Sequence, residues 1–136
     1  MIRTATESDV PAIRSLIKSV PGFWHEDWRE DVLECGIRAA EGLVFVWIDG
    51  GDIVGFVCAH DVGFLGYLSA LVVAEEARGR GIGRQLVRQV ERELTARDCA
   101  VLISDVCKGA EGFYRALGWT SPGVVLLRQR LKVAGG

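Results

Sequence analysis

The glycine-rich stretch Arg78-Gly79-Arg80-Gly81-Ile82-Gly83-Arg84 is the most informative part of this 136-residue chain. It follows an apolar run at residues 67–73, which is typical of a strand, and it opens a helical pattern at residues 81–97. Glycines let the backbone turn tightly and leave its N–H groups free to face an anion. Because a helix dipole and three arginines add positive charge, the stretch predicts a phosphate or pyrophosphate site.

The glycine spacing excludes two common nucleotide-binding loops. Gly79, Gly81 and Gly83 form Gly-x-Gly-x-Gly, whereas the dinucleotide fingerprint requires Gly-x-Gly-x-x-Gly. The nucleoside triphosphate loop requires Gly-Lys-Ser/Thr, but Gly83 is followed by Arg84 and Gln85. The predicted ligand therefore bears phosphate but belongs to another class.

Outward from this turn, the hydrophobic pattern predicts a mixed α/β domain of order β-α-α-β-β-β-α-β-α-β. Strands are predicted at residues 2–5, 43–48, 53–60, 67–73, 100–104 and 124–131. Helices are predicted from residue 6 to a break at Pro21-Gly22, and at residues 27–40, 81–97 and 110–117, the last ended by Gly118. The long helix joins the strands at 67–73 and 100–104 as a βαβ crossover, so these two strands should be parallel.

Burial is predicted from the same pattern. The strand at 67–73 should be covered on both faces, and the strand at 100–104 should be buried. Asp49-Gly50-Gly51-Asp52 predicts a tight hairpin turn. The expected buried helix faces are Val10, Ile13, Leu16 and Ile17; then Trp28, Val32, Cys35 and Ala39; then Ile82, Leu86, Val87, Val90 and Leu94.

Composition bounds the function classes. Hydrophobic residues make up 49% and charged residues 25%, which indicates one globular domain over residues 1–136. The net charge of −2 argues against nucleic-acid binding through an overall positive field. We expect no membrane span and no metal site. We expect the four cysteines to be reduced and the protein to be cytoplasmic.

Two motifs resemble the GNAT superfamily of N-acetyltransferases. Arg78, Gly81 and Gly83 meet its coenzyme A signature, Arg/Gln-x-x-Gly-x-Gly/Ala. The segment Ala110-Glu111-Gly112-Phe113-Tyr114-Arg115-Ala116-Leu117-Gly118-Trp119 is similar to that family's Ala-x-x-Phe-Tyr-x-x-x-Gly-Phe. The N-terminal Ile2-Arg3-x-Ala5-Thr6-x-x-Asp9 also fits, so the resemblance covers nearly the whole chain.

The resemblance implies an acetyl-coenzyme A site between two parallel strands that splay around the cosubstrate. It implies that the backbone at Leu71 and Val73 holds the pantetheine arm, and that an amide near Leu71 or Val72 stabilises an oxyanion. Backbone amides from Gly79 to Arg84 would bind the pyrophosphate. The implied binding residues are Leu71, Val72, Val73, Arg78, Gly79, Arg80, Gly81, Ile82, Gly83 and Arg84.

The resemblance also implies that Tyr114 is the general acid that protonates the departing thiolate, because a phenol is protonated at neutral pH. It leaves the general base open, because many members carry a strand glutamate where this chain has Tyr67 and Ser69. The residues considered for that role are His25, Glu26, Asp27, His60, Asp61 and Asp105, together with a water chain.

The acceptor is predicted to be a primary amine, on a small molecule or a protein. The segment around Trp24, Glu26 and Asp27 would suit it, because carboxylates among aromatic rings attract cations. This segment can equally be a hydrophobic anchor. Cys107 stands where the family often has Asn, and only 17 residues follow Trp119, so a second subunit could complete the site in a homodimer.

These departures from the family pattern keep a second class of function open, a catalytically silent coenzyme A-binding sensor or interaction module. A nucleic-acid binder that uses Arg78, Arg80, Arg84 and Arg88 is a weaker third alternative, because the chain is acidic overall.

Overall fold

The computed structural model describes residues 1–132 in two compact units, Met1–Ser104 and a smaller one that begins at Asp105. The strands are β1 (Ile2–Thr4), β2 (Val44–Asp49), β3 (Asp52–Asp61), β4 (Gly66–Val73) and β5 (Leu102–Ile103). The helices are α1 (Val10–Ser19), α2 (Val32–Ala40), α3 (Ile82–Ala96) and α4 (Glu111–Ala116). No helix within residues 1–132 is long and apolar enough to cross a bilayer.

The five strands form one mixed sheet in the order β1-β2-β3-β4-β5. The first four are antiparallel, and β5 runs parallel to β4, which confirms the predicted crossover through α3. The predicted hairpin turn is also confirmed, because Gly50 and Gly51 connect β2 to β3 with φ of 59° and 87°. Positive φ at both positions matches the twist of the strands that the turn joins.

Helices cover both faces of the sheet in the first unit. α3 lies so close to β3 that a Cβ atom on Gly55 would be 3.0 Å from both Ile82 and Leu86. On the opposite face, the Cys58 thiol donates to the carbonyl of Gly36 in α2 at 3.8 Å. The buried faces of α1 and α3 are those predicted from the sequence.

The prediction for α2 was wrong in its start and in its buried face. The helix begins at Val32, and residues 21–31 form turns instead of its first part. Its buried residues are Leu33, Ile37 and Ala40, whereas Val32 and Cys35 are half-buried, Ala39 is exposed and Trp28 is 37% exposed. A rotation of one residue, about 100°, separates the two faces, and the observed face buries the larger Leu and Ile side chains.

Two strand predictions near the C-terminus also required correction. The strand expected at 100–104 is only Leu102–Ile103, and it is not buried, since Val101 is 53% and Ile103 41% exposed. No strand forms at 124–131 in the described chain, where Val124 to Leu127 are 74–86% exposed. Strand propensity requires a neighbouring strand to pair with, and this segment pairs with none of the described strands.

The N-terminal motif has a structural explanation. The Arg3 guanidinium donates two hydrogen bonds to the Asp9 carboxylate, at 2.7 and 2.8 Å, and the Thr6 N–H donates a third at 2.9 Å. The hydrogen bond from Arg3, aided by those from Thr6, lowers the pKa of Asp9 to about 2. The motif thus fastens β1 to the start of the first helix.

We predict that Gly55→Ala destabilises the protein by about 1–3 kcal/mol, because the new methyl group overpacks the β3–α3 contact. It would meet Ile82 and Leu86 at 3.0 Å and Trp47 Cβ at 3.2 Å. Chemical denaturation measures the effect. Gly36→Ala is the matched control, because a Cβ atom there meets nothing within 4 Å and alanine favours a helix, so stability should rise. Equal midpoints for Gly55→Ala and the wild type would contradict the close packing.

Candidate active site

The predicted phosphate turn lies between β4 and α3 and opens the helix. Gly79 and Gly81 have φ of 80° and 77°, a region that favours glycine, and Gly81 caps α3. The first helical bond runs from the Gln85 N–H to the Gly81 carbonyl at 3.1 Å. The N–H groups of Ile82, Gly83 and Arg84 precede this bond and therefore have no acceptor within the helix. They form a donor set suited to an anion.

The three arginines of the turn take different positions. Arg80 forms an ion pair with Asp49 at 2.8 Å, which ties the β2–β3 hairpin to the turn and lowers the pKa of Asp49. Arg78 donates from Nε to the Val73 carbonyl at 3.3 Å. Arg84 lies beside Gly81: a Cβ atom placed on Gly81 would be 3.8 Å from a guanidinium nitrogen of Arg84. The turn is therefore positively charged, although Asp49 offsets one of its cations.

β4 has a free edge next to this turn. Its pairing with β5 is limited to Gly66 and Tyr67. At the next residue of β4, the Leu68 carbonyl accepts a hydrogen bond of 2.9 Å from the Ser104 hydroxyl. The Ala74 N–H bonds to Val54 of β3 at 2.8 Å. Because backbone groups alternate in direction along a strand, those of Leu71 and Val73 face away from β3. They lie where β5 no longer pairs.

The prediction that β4 is covered on both faces was wrong. Ser69 is exposed, and Tyr67, Leu71 and Val73 are only partly buried. The register explains part of this, because Cys58 pairs with Ala70 while the next residue of β3 pairs with Leu68. Ser69 is thus an extra residue, a β-bulge, which bends the strand and reorients its side chain.

A polar pair that the sequence did not reveal lies at this bulge. The Nε2 atom of His60, on β3, is 2.8 Å from the Ser69 hydroxyl, and that hydroxyl donates to the Cys58 carbonyl at 3.1 Å. His60 was one of several candidate bases, but its contact with Ser69 depends on the bulge. No composition or spacing signal predicts a bulge at this position.

Tyr114 lies in the second unit, on α4. Its ring is buried, with centroids 4.9 Å from Trp119 and 5.0 Å from Phe113. Burial, followed by the nearby charges of Cys107 and Asp105, raises the pKa of Tyr114 to about 12. The phenol is therefore firmly protonated at neutral pH. The predicted terminator Gly118 is confirmed, with φ of 95° after the last turn.

The predicted acceptor residues lie on the segment between α1 and α2. The Trp24 ring packs edge-on against Trp28 at 5.2 Å, and the Lys18 ammonium lies 4.8 Å from its centroid. A cation of the chain itself therefore already lies over Trp24. Glu26 and Asp27 are exposed.

Comparison with known proteins identifies the family. A model of the Acetyltransferase (GNAT) family matches residues 10–119. The chain is 33% identical over 98 residues to the peptidyl-lysine N-acetyltransferase YiaC of Escherichia coli (strain K12). This match covers 68% of the chain and 65% of YiaC, so it spans somewhat less than two thirds of that relative. The chain belongs to the GNAT acetyltransferase family.

Solved structures share the fold. The ribosomal-protein-S18-alanine N-acetyltransferase of Escherichia coli superposes with a TM-score of 0.76 at 23% identity, over 87% of this chain and 76% of that chain. The aminoglycoside N-acetyltransferase AAC(6')-Iy, in complex with CoA, superposes with a TM-score of 0.73 at 21% identity, over 96% of this chain and 98% of that chain. At these identities the likeness establishes the fold alone.

The burial of Tyr114 can be tested by titrating its phenol. The Tyr67→Phe variant is used because Tyr114 is then the one tyrosine of the chain. The Tyr114 phenol has a pKa of about 12, whereas an ordinary tyrosine has a pKa of about 10. The Tyr114 phenol should therefore stay neutral to higher pH. Absorbance near 295 nm should show about a tenth of the phenol ionised at pH 11, while circular dichroism confirms that the fold persists. Half-ionisation near pH 10 in the folded protein would contradict the burial of this ring.

Proposed function

We propose that this protein transfers an acetyl group from acetyl-coenzyme A to a primary amine. The observation that carries the proposal is the turn at residues 79–84, whose free N–H groups open α3 immediately after the unpaired edge of β4. A pyrophosphate fits such a turn, because glycines at positive φ leave it without side chains and arginines surround it. Membership of the GNAT family supports the choice of acetyl-coenzyme A among pyrophosphate ligands.

In this proposal β4 holds the reacting end of the cosubstrate. The outward-facing backbone groups of Leu71 and the N–H of Val73 would pair with the pantetheine arm, as a neighbouring strand would, while the Val73 carbonyl already accepts from Arg78. An amide at Leu71 or Val72 would stabilise the oxyanion that forms when the amine attacks the thioester carbonyl. Acetyl-coenzyme A supplies the activated acyl group, and the chain supplies position, charge stabilisation and proton transfer.

Tyr114 would act as the general acid. When the C–S bond breaks, the departing thiolate needs a proton, and the Tyr114 phenol is neutral at physiological pH and can donate one. Its ring is fixed by packing against Trp119, so its hydroxyl needs little reordering.

The acceptor we propose to test first is a lysine side chain in a peptide, because the relative at 33% identity is a peptidyl-lysine N-acetyltransferase. Trp24, Glu26 and Asp27 remain the proposed acceptor residues. Because Lys18 already covers Trp24, the carboxylates of Glu26 and Asp27 would provide most of the attraction for an ammonium group.

Calorimetric titration of acetyl-coenzyme A tests the cosubstrate site without any acceptor. Gly81→Glu should weaken binding by at least about 10-fold, because it strains the turn and places a carboxylate against the pyrophosphate. Gly123→Glu is the matched control, since Gly123 has a nearly identical φ of 76° and lies outside the turn. If both variants bind as the wild type does, the ligand does not occupy this turn.

Tyr114→Phe separates the enzyme from the silent sensor. For the enzyme, the rate of acetyl transfer to a lysine peptide should fall by about 10²–10⁴-fold, because the thiolate loses its proton donor, while acetyl-coenzyme A affinity stays constant. Release of free thiol measures the rate. An unchanged rate would remove Tyr114 from the mechanism, and undetectable transfer by the wild type despite binding would favour the sensor.

A further inference from the structure

We propose that His60, held by Ser69 at the bulge of β4, is the base that removes the proton from the acceptor's ammonium group. This inference rests on the proposed function, because it needs a thioester seated on β4 and an amine acceptor. It provides the general base in a chain that lacks a glutamate on this strand. Both residues belong to the first unit, so their contact does not depend on the second.

The hydrogen bonds of Ser69 determine which nitrogen of His60 is basic. The Cys58 carbonyl, 3.1 Å from the Ser69 oxygen, can only accept, so it takes the single hydroxyl hydrogen. The Ser69 oxygen must then accept the bond from His60 at 2.8 Å, which requires a proton on Nε2. The Nδ1 atom therefore bears a lone pair, and no described residue engages it in a hydrogen bond.

The position of the pair suits an incoming amine. His60 lies on the same face of the sheet as Cys58, which contacts α2, whereas α3 covers the other face. The segment between α1 and α2, which carries the proposed acceptor residues, leads into α2, the helix that contacts Cys58 on the face of His60. Ser69 and Leu71 are two residues apart on β4, a separation of about 7 Å along a strand. Because this separation exceeds direct hydrogen-bond reach, the proton would pass from the acceptor nitrogen to Nδ1 through bridging water.

Two neighbours of His60 carry titratable side chains. One is the Cys58 thiol, 3.8 Å from Nε2, and another is Tyr67, its partner in register on β4. Burial raises the pKa of Cys58 to about 11, so this thiol is neutral. Asp61 follows on β3 and accepts from the Gly63 N–H at 3.0 Å. In the part of the chain that the structure describes, no carboxylate forms an ion pair with His60.

The proton and electron balance of the step is complete. Nδ1 takes one proton from R–NH₃⁺, and the freed nitrogen lone pair forms the C–N bond with the thioester carbonyl carbon. The electron pair of the C–S bond leaves with sulfur, which takes the Tyr114 proton. The amide nitrogen sheds its extra proton, which restores Tyr114, and the imidazolium releases its proton to water. No oxidant or further reactant is needed.

The kinetic test uses a lysine peptide and acetyl-coenzyme A across pH 6–10 with His60→Gln. Near pH 7, kcat/KM should fall by about 10²-fold or more, with unchanged acetyl-coenzyme A affinity. This deficit should shrink as the pH approaches about 10, where about 30% of the lysine amine is already deprotonated and needs no base. A purely structural role for His60 would give a deficit that does not depend on pH.

Ser69→Ala tests the positioning role. It should lower kcat/KM by about 5-fold, because a neutral hydrogen bond that orients the ring is lost, and the pH profile should keep its shape. Ser19→Ala is the matched control, because Ser19 also donates to a backbone carbonyl, that of Leu16 at 2.6 Å. It should have no kinetic effect.

A second measurement needs no transfer activity. The chain has two histidines, so comparison with His60→Gln assigns the ¹⁵N resonances of the His60 ring. At pH 8, these should show the proton on Nε2 and a bare Nδ1, and Ser69→Ala should mix the two forms. A proton on Nδ1 overturns the inference whether or not the enzyme turns over. Full wild-type kinetics in His60→Gln also overturns it but leaves the proposed function intact, whereas binding without transfer by the wild type contradicts the proposed function itself.

Discussion

The incomplete pairing of β4 is the constraint on which the rest of the site depends. On one side β4 is hydrogen-bonded to β3, but on the other its pairing with β5 stops after Tyr67. Backbone groups that a sixth strand or a longer β5 would have taken are left facing outward. In the function we propose, an extended, amide-containing ligand would replace the missing strand along this gap. α3 begins beside the end of the gap, so its free N–H groups would face the same ligand.

Much of the turn and of the sheet topology around it was predictable from residues that are neighbours in the sequence. The turn at residues 78–84 combines glycines that need positive φ with a strongly amphipathic helix, and both signals are properties of a few neighbouring residues. The hairpin at Gly50-Gly51 and the βαβ crossover were predictable for the same reason. Each depends on backbone conformations that few other residues tolerate, or on a handedness that admits few exceptions.

The predictions that were wrong depended on what lies far away in sequence. Leu33 and Ile37 face the core because the sheet offers space there, and the pattern of α2 alone allowed two faces one residue apart. The segment at 124–131 has the composition of a strand but pairs with none of the described strands. The contact between His60 and Ser69 was hidden for a related reason. It requires one extra residue in β4, and register is fixed by the pairing of whole strands.

The proposed acid and base have opposite environments, and this difference assigns their roles. Tyr114 is buried among aromatic rings, which disfavours its anion and raises its pKa to about 12, so the phenol is neutral when the thiolate leaves. His60 is half-buried at a strand end, and Ser69 engages only one of its nitrogens. A glutamate on β4 would have brought a fixed negative charge beside the thioester. An imidazole that takes a proton from the attacking amine instead gains positive charge during the step, and that charge favours the oxyanion that forms.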